Sequence, residues 1–323
     1  MDWLLLIAGL VVLLAGGEAL VRGATALARS LGVSSMAIGM TVLAFGTSAP
    51  ELAVNVSAAV SGQSALTFGN VVGSNIANVG LILGITAIVH TLRIHRTIVT
   101  REIPIMLGAT ALTILLGSDW ILGNAPDRFG RLNGAVLLLA FAAFLFVTVG
   151  NALRARKDDR FIRDAEKKHD ESVPLKPLAT LLLTAAGLTG VLLGSDWTVE
   201  GATRVAHALG MSPALIGLTI VAIGTSLPEL TTTLFAALKG HADLAIGNIV
   251  GSNVFNLLFV LGVSATIRAV PVPDPRGRVD LLALAVFSAI LLPFAMTQKK
   301  LRRAEGTLLL AGYFAFMVWR TFF

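Results

Sequence analysis

A chain of 323 residues that is 55% hydrophobic and only 14% charged, with a mean hydropathy of +0.82, departs from the composition of soluble domains, in which roughly 25% of residues are charged. The lack of cysteine excludes disulfides, thiol catalysis and thiolate metal sites. The net charge of +6 lies in short segments between apolar runs, so it points to membrane orientation rather than to nucleic acid.

Apolar runs of span length recur from end to end, and they are continuous rather than alternating. That favours membrane helices over a transmembrane barrel. The first, near residues 3–22, follows Met1-Asp2-Trp3 without the basic region of a cleavable signal, so it is expected to be a retained helix. Further spans are expected near 35–60, 66–90, 103–120 and 131–152. After a mixed-charge segment at 154–177, five more follow near 178–199, 212–237, 243–267, 280–298 and 305–322. With the N-terminus outside, 18 of the 25 Lys and Arg residues fall on the inner side. The expectation is an all-α polytopic membrane protein of ten helices, N-out and C-out.

The two halves repeat at an offset of 178 residues. Ala44-Phe45-Gly46-Thr47-Ser48-Ala49-Pro50-Glu51 matches Ala222-Ile223-Gly224-Thr225-Ser226-Leu227-Pro228-Glu229, and G-N-V-V-G-S-N-I-A-N (69–78) matches G-N-I-V-G-S-N-V-F-N (247–256). Ser34, Gly39 and Thr41 pair with Ser212, Gly217 and Thr219, and Glu18 with Asp196. Five helices is an odd number, so the second repeat enters from the opposite side of the membrane. The expected domains are 1–153, with motif 44–78; a cytoplasmic linker at 154–177; and 178–323, with motif 222–256. Inverted repeats of this kind belong to alternating-access transporters.

Within the second span, Pro50 removes a backbone donor and Gly46 eases a bend, so a break at mid-membrane is expected. Carbonyls from Ala44 to Gly46 then need partners, of which a cation is one. Thr47 and Ser48 precede Glu51 at helical spacing, as Thr225 and Ser226 precede Glu229. In the following span Ser74 and Asn78 share a face, as do Ser252 and Asn256. Gly69 with Gly73, and Gly247 with Gly251, offer G-x-x-x-G spacing, from which close crossing of spans two and three, and of seven and eight, is expected. Carboxylate, hydroxyl, amide and carbonyl oxygens are the ligands of hard cations. A carboxylate at mid-bilayer costs about 3 kcal/mol uncompensated, and two close carboxylates favour a divalent ion or two monovalent ones between them. No phosphate-binding loop is present to power pumping, so transport would be secondary and the protein not an enzyme.

At these motifs the chain resembles prokaryotic sodium/calcium exchangers of the calcium/cation antiporter superfamily. The resemblance implies that Glu51 and Glu229 bind calcium between them, with Thr47, Thr225 and the carbonyls of Ala44 and Ala222. It implies flanking sodium sites at Ser48, Ser74, Ser226 and Ser252, with Asn78 and Asn256 completing the central set. It implies also that spans one and six slide to switch access, that three sodium ions exchange for one calcium, and that the transported ions are calcium and sodium without a cofactor. Some microbial relatives carry Asp where this chain has Asn256, which leaves one titratable group fewer for proton coupling here. A proton-coupled divalent-cation antiporter is the alternative reading, and a channel the third. Glu18 and Asp196 are candidates for gate or entrance roles. Asp119 and the tryptophans at 3, 120, 197 and 319 are expected at the membrane interface, while the five His residues are not expected to bind metal. The expected location is the plasma membrane, in contact with lipid and not with nucleic acid; oligomeric state is left open.

Overall fold

The computed structural model describes residues 2–118, 127–155, 176–211, 224–273, 275–296 and 299–322. Ala222, the repeat positions Ser212, Gly217 and Thr219, the interfacial candidates Asp119 and Trp120, and residues 156–175 of the linker with His169 lie outside the described residues.

Among the described residues, seven helices are long and apolar enough to cross a membrane, or eight if the bent pair Ser35–Thr47 and Ala49–Val60 is one span. The expected ten is not reached on these grounds. The seventh expected span is described only in its second half, Leu227–Leu238, and Arg303–Phe322, though 20 residues long, is not among the seven. The long helices α1 (Asp2–Leu31) and α9 (Pro177–Ala208) have 30 and 32 residues. Each runs well past its expected end, because the charged residues there pair along the helix (Glu18 with Arg22, Glu200 with Arg204) instead of ending it.

Between them in the chain lie α2 (Ser35–Ile38), a π-helical turn at Gly39–Leu43, α3 (Ala44–Thr47) and α4 (Ala49–Val60). Next come α5 (Ala65–Ala77), a π turn at Asn78–Leu83, and α6 (Gly84–Val89). Strand β1 (Leu92–Arg93), a π turn at Ile98–Glu102, α7 (Ile103–Leu116), β2 (Arg128–Phe129) and α8 (Arg131–Ala155) complete the first half. After α9 the second half continues with α10 (Leu227–Leu238), α11 (Ala242–Val254), a π turn at Phe255–Val260, and α12 (Leu261–Ile267). It ends with β3 (Val270–Pro271), α13 (Arg276–Met296), β4 (Lys300–Leu301) and α14 (Arg303–Phe322).

Burial sorts these helices. The continuous spans Ala65–Val89 and Ala242–Ile267, which carry the Gly-Asn-x-x-Gly-Ser-Asn motifs, are 83% and 94% buried along their apolar windows. Arg131–Arg154 is only 22% buried, and Leu132, Leu139 and Phe146 project from it. Water would penalise such exposed side chains, whereas lipid accommodates them.

Packing divides the chain into two compact units, each drawing on both sequence halves: Met1–Thr47 with Asn151–Asn248, and Ser48–Gly150 with Ile249–Phe323. In the first unit α1 lies against α9 along its length. A Cβ built on Gly9, Gly16 or Gly23 would fall on Thr198, Val191 or Thr184 in turn, and one built on Gly187, Gly194 or Gly201 would fall on Leu20, Leu13 or Leu6. One number rises by seven as the other falls by seven, so the helices are antiparallel. Each contact recurs with its partners displaced by 178, the sign of an inverted repeat. Glycine at every seventh position lets the two backbones touch.

In the second unit α6 packs on α14, where Gly84 faces Gly306, and reciprocally α12 packs on α8, where Gly262 faces Gly134. Thr110 Oγ1 donates to Ser288 Oγ at 3.2 Å, a contact between residues 178 apart in sequence. A side chain that touches its own repeat counterpart lies on the two-fold relating them. Strand β1 pairs with β4, and β2 with β3, so each of the two short antiparallel ladders joins a strand of the first half to one of the second.

Candidate cation site

The expected break is present. Helix α3 ends at Thr47, α4 begins at Ala49, and the pair is bent by 45°. Pro50 occupies the first turn of α4, and Pro228 the first turn of α10, where a missing donor is harmless. Glu51 and Glu229 lie in those same first turns, 2% and 1% exposed. The N–H groups of a helix start favour a carboxylate there. Ser-x-x-Glu is the sequence of a capping box, yet neither Ser48 nor Ser226 caps the helix it precedes. The bend also corrects the expectation of a continuous face from Thr47 to Glu51: Thr47 closes α3, and Glu51 opens a new helix.

Among the expected residues of the first unit, Ala44 and Thr47 are buried in α3, Ser226 and Glu229 are buried at the start of α10, and Thr225 is half-buried. Thr47 Oγ1 lies 3.5 Å from Asn248 Oδ1, and Asn248 Nδ2 donates to Thr233 Oγ1 at 3.1 Å. A carbonyl exposed by the break finds a partner here, for Ser195 Oγ donates to Gly224 O at 3.1 Å. Glu18 accepts from Arg22 at 2.6 Å and from Lys239 at 3.0 Å, tying α1 to the end of α10, while Asp196 is exposed.

In the second unit, Ser48, Glu51, Ser74, Asn78, Ser252 and Asn256 are all buried. Asn78 opens one π turn and Asn256 is the second residue of another; such turns are frequent at functional sites. Asn78 Nδ2 donates to Asn253 Oδ1 at 2.9 Å, which fixes the amide orientation. Asn55 Nδ2 donates to Glu51 O at 2.7 Å and to Asn70 Oδ1 at 2.9 Å, tying the Glu51 turn to α5. Ser252 Oγ and Asn256 Oδ1 are buried with no hydrogen-bond partner among the described residues. Buried polar oxygens of that kind suit a cation without a hydration shell.

Sequence reasoning passed over Asn55, Asn70, Thr233, Asn248 and Asn253. A signal was available: Asn55 and Thr233 each fall one turn beyond a Glu, and Asn70 and Asn248 are counterparts at the repeat offset. The glycine expectation also needs correction. Gly247 lies against Met36 and Gly39 against Leu244 and Asn248, so span eight also crosses span two, while its Asn248 still reaches Thr233 of span seven. No atom among the described residues comes within 4 Å of a Cβ built on Gly69 or Gly73. Among the described residues no three His, Asp or Glu gather as a transition-metal site would.

The family model of the sodium/calcium exchanger proteins matches residues 1–150 and 179–322. The chain belongs to the sodium/calcium exchanger protein family. A putative antiporter, CaxA, from Alkalimonas amylolytica is 38% identical over 84% of this chain and 83% of its own length. The sodium/calcium exchanger MaX1 of Methanosarcina acetivorans is 32% identical over 84% and 85%. A solved structure of the sodium-calcium exchanger NCX_Mj, soaked with sodium and calcium, superposes with a TM-score of 0.82 at 31% identity, covering 98% of this chain and 97% of that one. The protein is therefore a multi-pass membrane antiporter of the cation/calcium type, and a transporter rather than an enzyme.

Proposed function

We propose that this member of the family exchanges calcium for sodium across the plasma membrane, with the carboxylates of Glu51 and Glu229 holding the calcium. Thr47, Thr225 and the carbonyls of Ala44 and Ala222 complete that site. Ser48, Ser74, Ser226 and Ser252 serve sodium, and Asn78 and Asn256 contribute neutral oxygens. The observation that carries the reading is the duplicated Gly-Thr-Ser-x-Pro-Glu break, each copy burying a carboxylate in the first turn of a helix. Desolvation makes such a charge costly unless a cation or proton balances it. One divalent ion balances two carboxylates, and monovalent ions can replace it, so competition between the two loadings couples the fluxes.

The chain is organised as repeats 1–153 and 178–323 around a cytoplasmic linker, ten helices in all, with both termini outside. Access alternates by movement of α1 and α9. Three sodium ions per calcium make the cycle electrogenic, so that membrane potential adds about 2.3 kcal/mol per net charge per 100 mV. The relatives' descriptions as antiporter and sodium/calcium exchanger support the reading.

Calcium uptake into proteoliposomes tests it. Uptake is expected to follow an imposed outward sodium gradient, to persist with a protonophore, and to vanish in Glu51→Gln and Glu229→Gln. Uptake that follows a pH gradient and ignores sodium identifies proton coupling instead. Calcium flux with no counter-ion requirement identifies a channel.

A further inference from the structure

The two short ladders at opposite ends of the second unit share one backbone design but not one charge. Leu92 pairs with Leu301 and Arg93 with Lys300 in one; Val270 pairs with Phe129 and Pro271 with Arg128 in the other. These are repeat counterparts, with an apolar pair at the first position of each ladder and different pairs, Arg with Lys and Pro with Arg, at the second. Leu92 and Leu301 are buried, as are Val270 and Phe129. Beside Arg128 stands Asp127, whose carboxylate pairs with Arg278 at 3.2 Å. Beside Lys300 the corresponding residue is Lys299, held at φ 53° with its carbonyl accepting from Ile94 N at 2.8 Å.

The β1–β4 ladder opens a concave site of about 760 Å³, lined by His90, Arg93, Lys300, Arg302 and Arg303 with Val89 at its edge. That volume lies in the range of small-ligand pockets. These five side chains, and Thr91 beside them, are exposed. Among the described residues none of the four Lys and Arg side chains makes an ion pair, and the nearby Glu305 carboxylate accepts from the Arg302 backbone N–H at 3.0 Å. Four cations gathered at one exposed hollow raise the positive potential there, which draws an anion to it. The hollow lies where α6 ends and α14 begins, and a spanning helix ends at headgroup depth. Orientation by the positive-inside rule alone would require cations on that side but not their convergence on a cavity.

We propose that this pocket binds the phosphate of an anionic phospholipid in the cytoplasmic leaflet. Arg93 and Lys300 are presented side by side by the ladder; Arg302 and Arg303 come from the start of α14. Arginine forks suit phosphate oxygens, and basic pockets between membrane helices on the cytoplasmic side commonly hold such headgroups. The leaflet rests on the orientation given under the proposed function, whereas the lipid chemistry does not. A protein that binds anionic lipid but shows no sodium-driven calcium flux would leave this inference standing.

The test is native mass spectrometry and thermal unfolding of delipidated protein titrated with phosphatidylglycerol or cardiolipin, and separately with phosphatidylcholine, inorganic phosphate or ATP. Wild type is expected to retain the anionic lipids and to unfold at higher temperature with them, but not with phosphatidylcholine. Each cation near a lipid surface contributes about fivefold in binding, so Arg93→Gln/Lys300→Gln and Arg302→Gln/Arg303→Gln should each weaken retention roughly 25-fold. Arg128→Gln, at the opposite ladder, should keep it. Should a double variant elute as an aggregate, Lys300→Gln alone is expected to lose about fivefold. Unchanged retention in these variants, equal retention of phosphatidylcholine, or equal loss in Arg128→Gln overturns the site. Protection by free phosphate or ATP at concentrations where lipid has no effect overturns the choice of lipid.

Discussion

Replacing Gly16 with alanine tests the α1–α9 contact directly. In most helices Gly→Ala stabilises by about 1 kcal/mol through backbone entropy and propensity. At Gly16 the added Cβ would stand 2.5 Å from Val191 N and 2.6 Å from Gly190 C. Both are backbone atoms, so no side-chain rotation relieves the clash. Ordinary contact begins near 3.4 Å, so the helices must part by about 1 Å, losing dispersion along the neighbouring turns. Overpacking of this kind costs about 1–3 kcal/mol. At a backbone contact the upper end applies, and the propensity gain offsets about 1 of it, leaving about 2 kcal/mol of destabilisation. At about 2 °C per kcal/mol for a chain of this size, the midpoint should fall by about 4 °C. Gly150→Ala on α8, where no described atom lies within 4 Å of the added Cβ, should leave the midpoint unchanged or raise it slightly. Scanning fluorimetry of the two variants beside wild type gives the answer. A rise for Gly16→Ala equal to that for Gly150→Ala would refute the close backbone packing of α1 on α9.

Calcium at a hundredfold its Kd should stabilise the wild type by about 2.7 kcal/mol, and Glu229→Gln should abolish that shift in a calcium-titrated melt. Asn55→Ala and Asn70→Ala should show a coupling of about 1 kcal/mol in a double-mutant cycle read by calcium affinity, because their 2.9 Å bond holds the Glu51 turn; additive losses would deny that role. Lys239→Gln should lower stability only slightly, since its bond to Glu18 is exposed to solvent, and the difference from wild type should shrink in high salt. A salt-independent loss would place that contact in a drier setting than its exposure indicates.

Much was legible in the sequence because bilayer chemistry leaves few options. Apolar length fixed which segments become helices, and a Pro two residues after a Thr-Ser pair marked where helices must break. The repeat located both acidic first turns, since scarce polar residues matched at one offset cannot arise from apolar composition. Helix ends were less legible: α1 and α9 continue past Arg22 and Glu200 because a charge that finds a partner one turn away does not stop a helix.

Tertiary structure alone decided which glycines serve as contacts. Gly69 and Gly73 have the spacing of a crossing motif, yet no described neighbour approaches them, while Gly9, Gly16 and Gly23 seat a whole helix. It also decided that Asn248 reaches Thr233 and that Asn78 reaches Asn253, and that four cations from two distant segments converge on one hollow. Spacing along a chain says which residues share a face of their own helix. Which other face comes against it depends on how close two backbones can approach, and that is settled only when the helices pack.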